Sequence, residues 1–187
     1  MTDLKFRVAG LDDANAIVAL VTSAYRGESS RAGWTTEADL LEGARIDPDI
    51  LRDDIQREGS TILLAEHTTG GPGAGAAELV ACAHVAREGD AGYFGMFSVA
   101  PTLQGGGIGS RVLAECERIA REEWGLTRMR MTVIDVRDEL LAYYQRRGYL
   151  RTGIHKPFPY GDARFGLPLR DDLRFEVLEK PLARETP

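Results

Sequence analysis

The sequence predicts a mixed α/β fold, a β-sheet covered by helices, on three observations. Three β-like segments succeed one another between residues 61 and 99 with no helix between them. From residue 108 onward helical and strand patterns alternate, as they do where helices cross between strands of one sheet. Ahead of both, residues 12–56 are dominated by apolar positions at helical spacing. The 187 residues, 43% apolar and 28% charged, are an ordinary globular composition and enough to bury a core unaided. A single domain spanning 1–187 is expected, since no repeat, low-complexity tract or composition break divides the chain.

The predicted order is β-α-α-α-β-β-β-α-β-α-β. Lys5 to Val8 alternate polar and apolar residues ahead of Gly10, which marks a short strand, and Asp12 opens a helix with Ala16, Ile17, Leu20, Val21 and Ala24 on one stripe. Residues 26–36 turn polar and glycine-bearing, a long loop carrying Trp34. A second helix is predicted around Ala38, Leu41 and Ala44. A third starts at Asp47-Pro48, because proline suits a first helical turn, and stops at Gly59. Residues 61–66, 79–86 and 93–99 are strands. The glycine-rich stretch 70–75 opens no helix and is predicted as a hairpin connection rather than a phosphate loop. Pro101 ends the third strand, and Ile108, Val112, Cys116 and Ile119 form the stripe of a helix running to about Gly125. Residues 128–136 alternate as a strand, 139–147 form a helix that Gly148 terminates, and 173–178 form the last strand after a proline- and aromatic-bearing stretch.

Composition narrows the functional classes. The net charge is -6 and no basic run is present, so nucleic-acid binding is not expected. No segment offers the roughly 18 continuous apolar residues of a membrane helix, and no targeting signal is evident; a soluble, cytoplasmic protein is expected. Cys82 and Cys116 lie inside apolar patterns, as reduced core thiols do. Three scattered histidines, His67, His84 and His155, without paired ligand spacing, argue against a metal.

The segment from Phe97 through Gln104-Gly105-Gly106-Gly107-Ile108-Gly109-Ser110 joins the end of an apolar strand directly to the first turn of a helix. Free N–H groups of that turn, approached over glycines, make an anion site. The lysine of a P-loop is missing, because Gly109 is followed by Ser110 and Arg111, and a dinucleotide fingerprint would need a glycine where Ser110 stands. What remains is Gln-x-x-Gly-x-Gly.

That pattern, with Val99-x-Pro101 just upstream, resembles the acyl-CoA pyrophosphate loop of the GCN5-related N-acetyltransferase (GNAT) family. A second block, LLAYYQRRGY at 140–149, resembles the family helix in which a tyrosine, here Tyr144, precedes Gly148-Tyr149. The resemblance covers residues 79 to about 153. It implies a GNAT-like domain with a central, mostly antiparallel sheet, one splayed parallel strand pair and flanking helices. It further implies acetyl-CoA as co-substrate, with pantetheine along the main chain of Phe97, Ser98 and Val99. The pyrophosphate would rest on Gln104, Gly105, Gly106, Gly107, Ile108, Gly109 and Ser110. Where the family often has a cofactor-contacting asparagine this sequence has Arg137, which either meets a phosphate or caps local structure.

The implied reaction moves an acetyl group to a primary amine of a small molecule or peptide. Tyr144 is the candidate general acid for the leaving thiolate, with Tyr143 as rival. The strand 93–99 holds no glutamate, so His84 is the candidate base, with Glu28, Glu66 and Asp135 behind it. Trp34, Phe158, Tyr160 and Phe165 could wall an acceptor pocket, with Glu28, Glu37 or Asp162 attracting a cationic amine. The alternative is a non-catalytic acyl-CoA-binding regulatory module. An exposed sheet edge or the C-terminal strand offers a route to a homodimer.

Overall fold

A computed structural model describes residues 4–67 and 77–182. The first strand, β1 (Leu4–Val8), leads through a turn at residues 11–13 into α1 (Ala14–Tyr25) and the short α2 (Gly27–Ser30). Then come β2 (Leu41–Glu42), α3 (Pro48–Gln56), β3 (Ser60–His67), β4 (Glu78–Glu88) and β5 (Ala91–Val99). The second half runs α4 (Ile108–Arg118), β6 (Arg128–Ile134), α5 (Asp138–Gln145), β7 (Leu150–Pro157), β8 (Leu167–Pro168) and β9 (Arg174–Pro181). Seven strands form one sheet in the order β1-β3-β4-β5-β6-β9-β7, and β2 pairs with β8 outside it. Every neighbouring pair of the sheet is antiparallel except β5 and β6. The expected mixed, mostly antiparallel sheet with one parallel pair is therefore present.

Alternation along the strands builds a core on each face. On β3, Leu63 and Ala65 face α4, packing with Val112, Leu113 and Cys116, while Ile62 and Leu64 face α1 and α3, packing with Ile17, Val21 and Leu51. Cys82 and Cys116 fall on opposite faces, both buried and free, and burial pushes the Cys82 thiol up to about 12. Asp47 caps α3 as its spacing predicts, accepting from the Asp49 and Ile50 N–H groups (2.9 and 3.1 Å) with Pro48 in the first turn.

Two predicted features are corrected. Residues 38–44 are not a helix: after one turn, closed by Leu40 and Leu41 N–H on the Glu37 carbonyl, the chain extends into β2 and pairs with β8. Local helical spacing is overridden because Glu37 is held by arginines from three other parts of the chain and Gly43 takes a positive φ of 76°. The second correction is β7, a strand absent from the predicted order. It is exposed on both faces, so its sequence has no apolar alternation to betray it. The predicted hairpin connection at 70–75 lies outside the described residues.

β5 determines where a ligand can enter. It pairs with β6 only at Gly92–Met129 and Tyr93–Arg130, and beyond Tyr93 the two strands diverge. On its other edge, Met96 and Phe97 stand together opposite Ala83, a bulge in which Met96 has φ of 47°. The ladder alternates, and Ala100 N–H bonds the Val80 carbonyl, so Val99 turns its main-chain groups away from β4 toward the opening, whereas Ser98, opposite Cys82, turns its own to β4.

Behind the opening, α4 is tied to β9 through Glu117, whose Oε1 accepts from the Tyr149 hydroxyl (2.9 Å) and whose Oε2 accepts from Lys180 Nζ (2.7 Å). Glu117→Ala orphans both donors. Because Lys180 keeps some access to water, the expected loss is about 2 kcal/mol rather than the full cost of breaking a dry ion pair, read as a lower urea midpoint at unchanged m-value.

Candidate active site

Two cavities adjoin where β5 leaves β6, and Tyr25, Phe97 and Leu140, which line both, form the waist between them. The waist is held by Tyr25, whose hydroxyl donates to the Phe97 carbonyl across from α1.

The first cavity, about 300 Å³, is lined by Gly105, Gly107, Gly109 and Ser110 together with Val99, Trp34 and Tyr143. Gly107, with φ of 84°, turns the chain into α4, whose first N–H groups have no helical partner. A Cβ on Gly109 would lie 3.0 Å from Phe97 Cζ and 3.1 Å from the Tyr143 hydroxyl, so any larger residue there would press these side chains aside. Arg146 and Arg147 line the same cavity, and among the described residues no carboxylate does. Arg147 lies 3.4 Å over the Tyr143 ring and donates to Ser110 Oγ (2.7 Å), so a cation is fixed beside the helix N-terminus. Glycines, free N–H groups and fixed cations are the donor set that a pyrophosphate requires.

Gln104 plays a different part. Its Oε1 accepts from Trp34 N–H (2.9 Å), and its Nε2 donates to Thr35 Oγ1 (2.9 Å) and to the Val99 carbonyl (3.1 Å). The side chain therefore clamps the loop before β2 onto the end of β5. Arg137 holds the same loop, donating to the Thr35 carbonyl (2.6 Å) and to Glu37 Oε1 (2.8 Å), and its side chain does not cap α5.

The second cavity is smaller, about 100 Å³, and is lined by Phe94, Phe158, Phe165 and Phe175 together with charged groups. Tyr144 lines it, whereas Tyr143 lines the first, because consecutive helical residues point about 100° apart. The Tyr144 hydroxyl makes no hydrogen bond among the described residues, and burial raises its proton affinity well above that of an ordinary phenol. Glu37 is also in this wall, with Arg26 (2.7 Å) and Arg45 (3.2 Å) on Oε2 and Arg137 on Oε1. Burial would raise the Glu37 carboxyl, but Arg45, Arg137 and Arg26 together hold it below its ordinary value. A carboxylate so enclosed is not available to attract an amine. Asp162 is engaged by Arg164, and Tyr160 lines neither cavity, its hydroxyl accepting instead from Leu173 N–H (2.7 Å).

His84 lies on β4 outside both cavities, 7% exposed. Its Nε2 is 2.8 Å from Ser60 Oγ and its Nδ1 3.8 Å from Asp54, with the ring edge-on to Tyr93, which ties α3 to the sheet. Phe97, Val99, the glycine turn and Tyr144 are thus brought together, and His84 is not. Nothing in the sequence pattern singles out Tyr25, Arg26 or Arg45; for Arg146 and Arg147 the basic pair directly before Gly148 is a visible signal.

The fold is that of a known family. Residues 20–149 match the Acetyltransferase (GNAT) family, and the chain belongs to it. Similar solved structures include the ribosomal-protein-S18-alanine N-acetyltransferase of Escherichia coli, 13% identical with a TM-score of 0.67, the alignment covering 98% of this chain and 97% of that one. Nourseothricin acetyltransferase is 18% identical at a TM-score of 0.64, covering 96% and 99%. Spermidine/spermine N-acetyltransferase of Vibrio cholerae is 12% identical at 0.63, covering 96% and 92%. They share the fold, and the acceptors in their names have little in common. Among curated proteins no significant match is found.

Burial lowers the proton affinity of His84, opposed by Asp54 and assisted by Arg57. As pH falls below the ordinary value of 6.5 the unfolded chain takes up this proton first, so stability drops from there downward. The fall in thermal midpoint from about pH 7 to about pH 5 is expected to flatten in His84→Gln, which keeps a hydrogen-bonding group toward Ser60.

Proposed function

We propose that this protein transfers an acetyl group from acetyl-CoA to the primary amine of a small molecule. The observation that supports it best is the pair of cavities joined at the Tyr25–Phe97–Leu140 waist, one with a phosphate-type donor set and the other enclosing Tyr144. The residues of the first cavity suit the co-substrate: the amides of Gly105 to Ser110 with Arg146 and Arg147 for its pyrophosphate, and the main chain of Phe97 and Val99, flanking Ser98, for its pantetheine arm. Gln104 serves by clamping the loop that closes this cavity.

Acetyl-CoA supplies the activated thioester. The chain's residues supply the rest. A main-chain N–H of β5 left without a strand partner polarises the carbonyl at no reorganisation cost. The carbon–nitrogen bond forms as the carbon–sulfur bond breaks; Tyr144 gives its proton to the departing sulfur, and the proton that the nitrogen loses on becoming an amide restores the phenol. Burial favours the neutral, protonated form of Tyr144. The amine sheds its own proton to solvent. The guanidinium-rich wall favours that loss, since a nearby like charge disfavours the ammonium form. The exposed edge strand β7, with Leu150 and Ile154 outward, is the proposed contact of a homodimer, which sedimentation equilibrium would detect.

Titration calorimetry tests the reading, with ATP and NAD as controls. Acetyl-CoA alone is expected to bind. Gly107→Glu, which sets a carboxylate beside the phosphate site, should abolish that binding while the far-ultraviolet circular dichroism is kept. No binding by the parent protein would overturn the proposal, and binding without transfer to any amine would favour the regulatory module. Tyr144→Phe is expected to lower kcat by about a hundredfold at unchanged acetyl-CoA affinity. Full turnover in that variant would remove Tyr144 from the mechanism.

A further inference from the structure

The wall of the second cavity holds more positive charge than its one carboxylate can use. Glu37 Oε1 takes Arg137 at 2.8 Å and Oε2 takes Arg26 at 2.7 Å, so both oxygens are already engaged when Arg45 arrives at 3.2 Å. Three guanidinium groups therefore surround a single carboxylate. The surplus is visible atom by atom. Arg26 is 6% exposed, yet its Nε and Nη2 have no hydrogen-bond partner among the described residues. Arg45 adds a third guanidinium, ion-paired through Nε to Glu37 Oε2 at 3.2 Å. Buried charged donors left unpaired are costly, and native interiors keep few of them. Three guanidinium groups outnumber the one carboxylate among the described residues that line this cavity, so an anion entering it meets net positive charge.

The rest of the cavity constrains what carries that anion. At about 100 Å³ it falls well below the roughly 300–1,000 Å³ of sites for drug-sized ligands. The same cavity is lined by Phe94, Phe158 and Phe175, which offer apolar surface for a short side chain. The waist opens toward the glycine-lined cavity, which is where an acceptor amine would have to point. A polyamine would meet like charge here, and a neutral amine would leave the guanidinium donors dry.

We propose that the acceptor is a small amino carboxylate, such as a free amino acid, whose carboxylate meets the guanidinium groups of this wall while its amine faces the waist. Arginine matches a planar carboxylate with two parallel N–H groups, which lysine cannot do. Arg26, Arg45 and Arg137 thereby select the substrate. Burial also lowers the proton affinity of Arg26, with Glu37 opposing, as expected of a guanidinium short of negative partners. The inference rests on the acetyl-transfer reading above, and deepens it by naming the acceptor class.

The test compares the common free L-amino acids, each with its α-carboxamide and its decarboxylated amine, as acceptors in an assay of released CoA thiol. For at least one amino acid, kcat/KM is expected to exceed that of its carboxamide by roughly ten- to a hundredfold. Arg45→Gln, which leaves Glu37 its two closest partners, and Arg26→Lys, which keeps the charge without the fork, should each narrow that ratio. The comparison on the parent protein needs neither variant to fold. A second readout is independent of turnover: the preferred amino acid raises the thermal midpoint of the parent protein and its carboxamide does not. Equal rates for acid and amide, or preference for the decarboxylated amine or spermidine, would overturn the inference while leaving acetyl transfer intact. Failure of acetyl-CoA to bind in the calorimetric titration would instead overturn the transfer reading, and the midpoint shift would still decide whether the cavity takes a carboxylate.

Discussion

The parting of β5 from β6 is the constraint on which the rest of the site depends. Two parallel strands that stayed paired along their length would bury the main chain of Phe97 and Val99 in a ladder and leave no passage between the faces of the sheet. They pair at two positions only, and the bulge at Met96 and Phe97 bends β5 just where the pairing stops. A bulge costs a left-handed residue, Met96, and returns main-chain groups that face a cavity rather than a strand. The α4 N-terminus sits at the mouth of that opening because Gly107 turns the chain sharply off the end of β5.

Around the opening the protein separates two kinds of positive charge. On one side, Arg146 and Arg147 stand beside the amides of the α4 first turn, with Arg147 stacked on Tyr143 and bonded to Ser110. On the other, Arg26, Arg45 and Arg137 enclose Glu37. Tyr25 stands between them, its hydroxyl on the Phe97 carbonyl and its ring within 4.8 Å of Arg45. The loop before β2 belongs to both sides, since Gln104 and Arg137 grip it from opposite ends through Trp34, Thr35 and Glu37. Shape and charge of the two cavities are therefore coupled through one short stretch of chain.

The glycine turn is legible in the amino-acid sequence because its chemistry is local: strand, glycines and helix start are consecutive in the chain, and so is the geometry they make. Tyr144 is legible for the same reason, through the spacing within 140–149. Residues 38–44 are not, because their conformation is imposed from afar. Their apolar spacing suits a helix, but the ion pairs of Glu37 and the pairing with β8 outweigh propensity, which amounts to well under about 1 kcal/mol per residue. β7 leaves no trace in the hydrophobic pattern because it buries neither face, and periodicity reports burial rather than hydrogen bonding.

The sequence by itself determined the family, the mixed sheet and the glycine turn, since each of these follows from periodicity or from residues close together in the chain. Only the tertiary structure decided what the charged side chains do. Glu37 reads in the sequence as a lure for a cation and is instead enclosed by arginines, and His84 reads as a base and is instead a tie between α3 and the sheet. Arg137 meets a residue 100 positions away in the chain. Charge acts through space over a few ångströms, and chain order carries no record of which distant groups the fold brings within that reach.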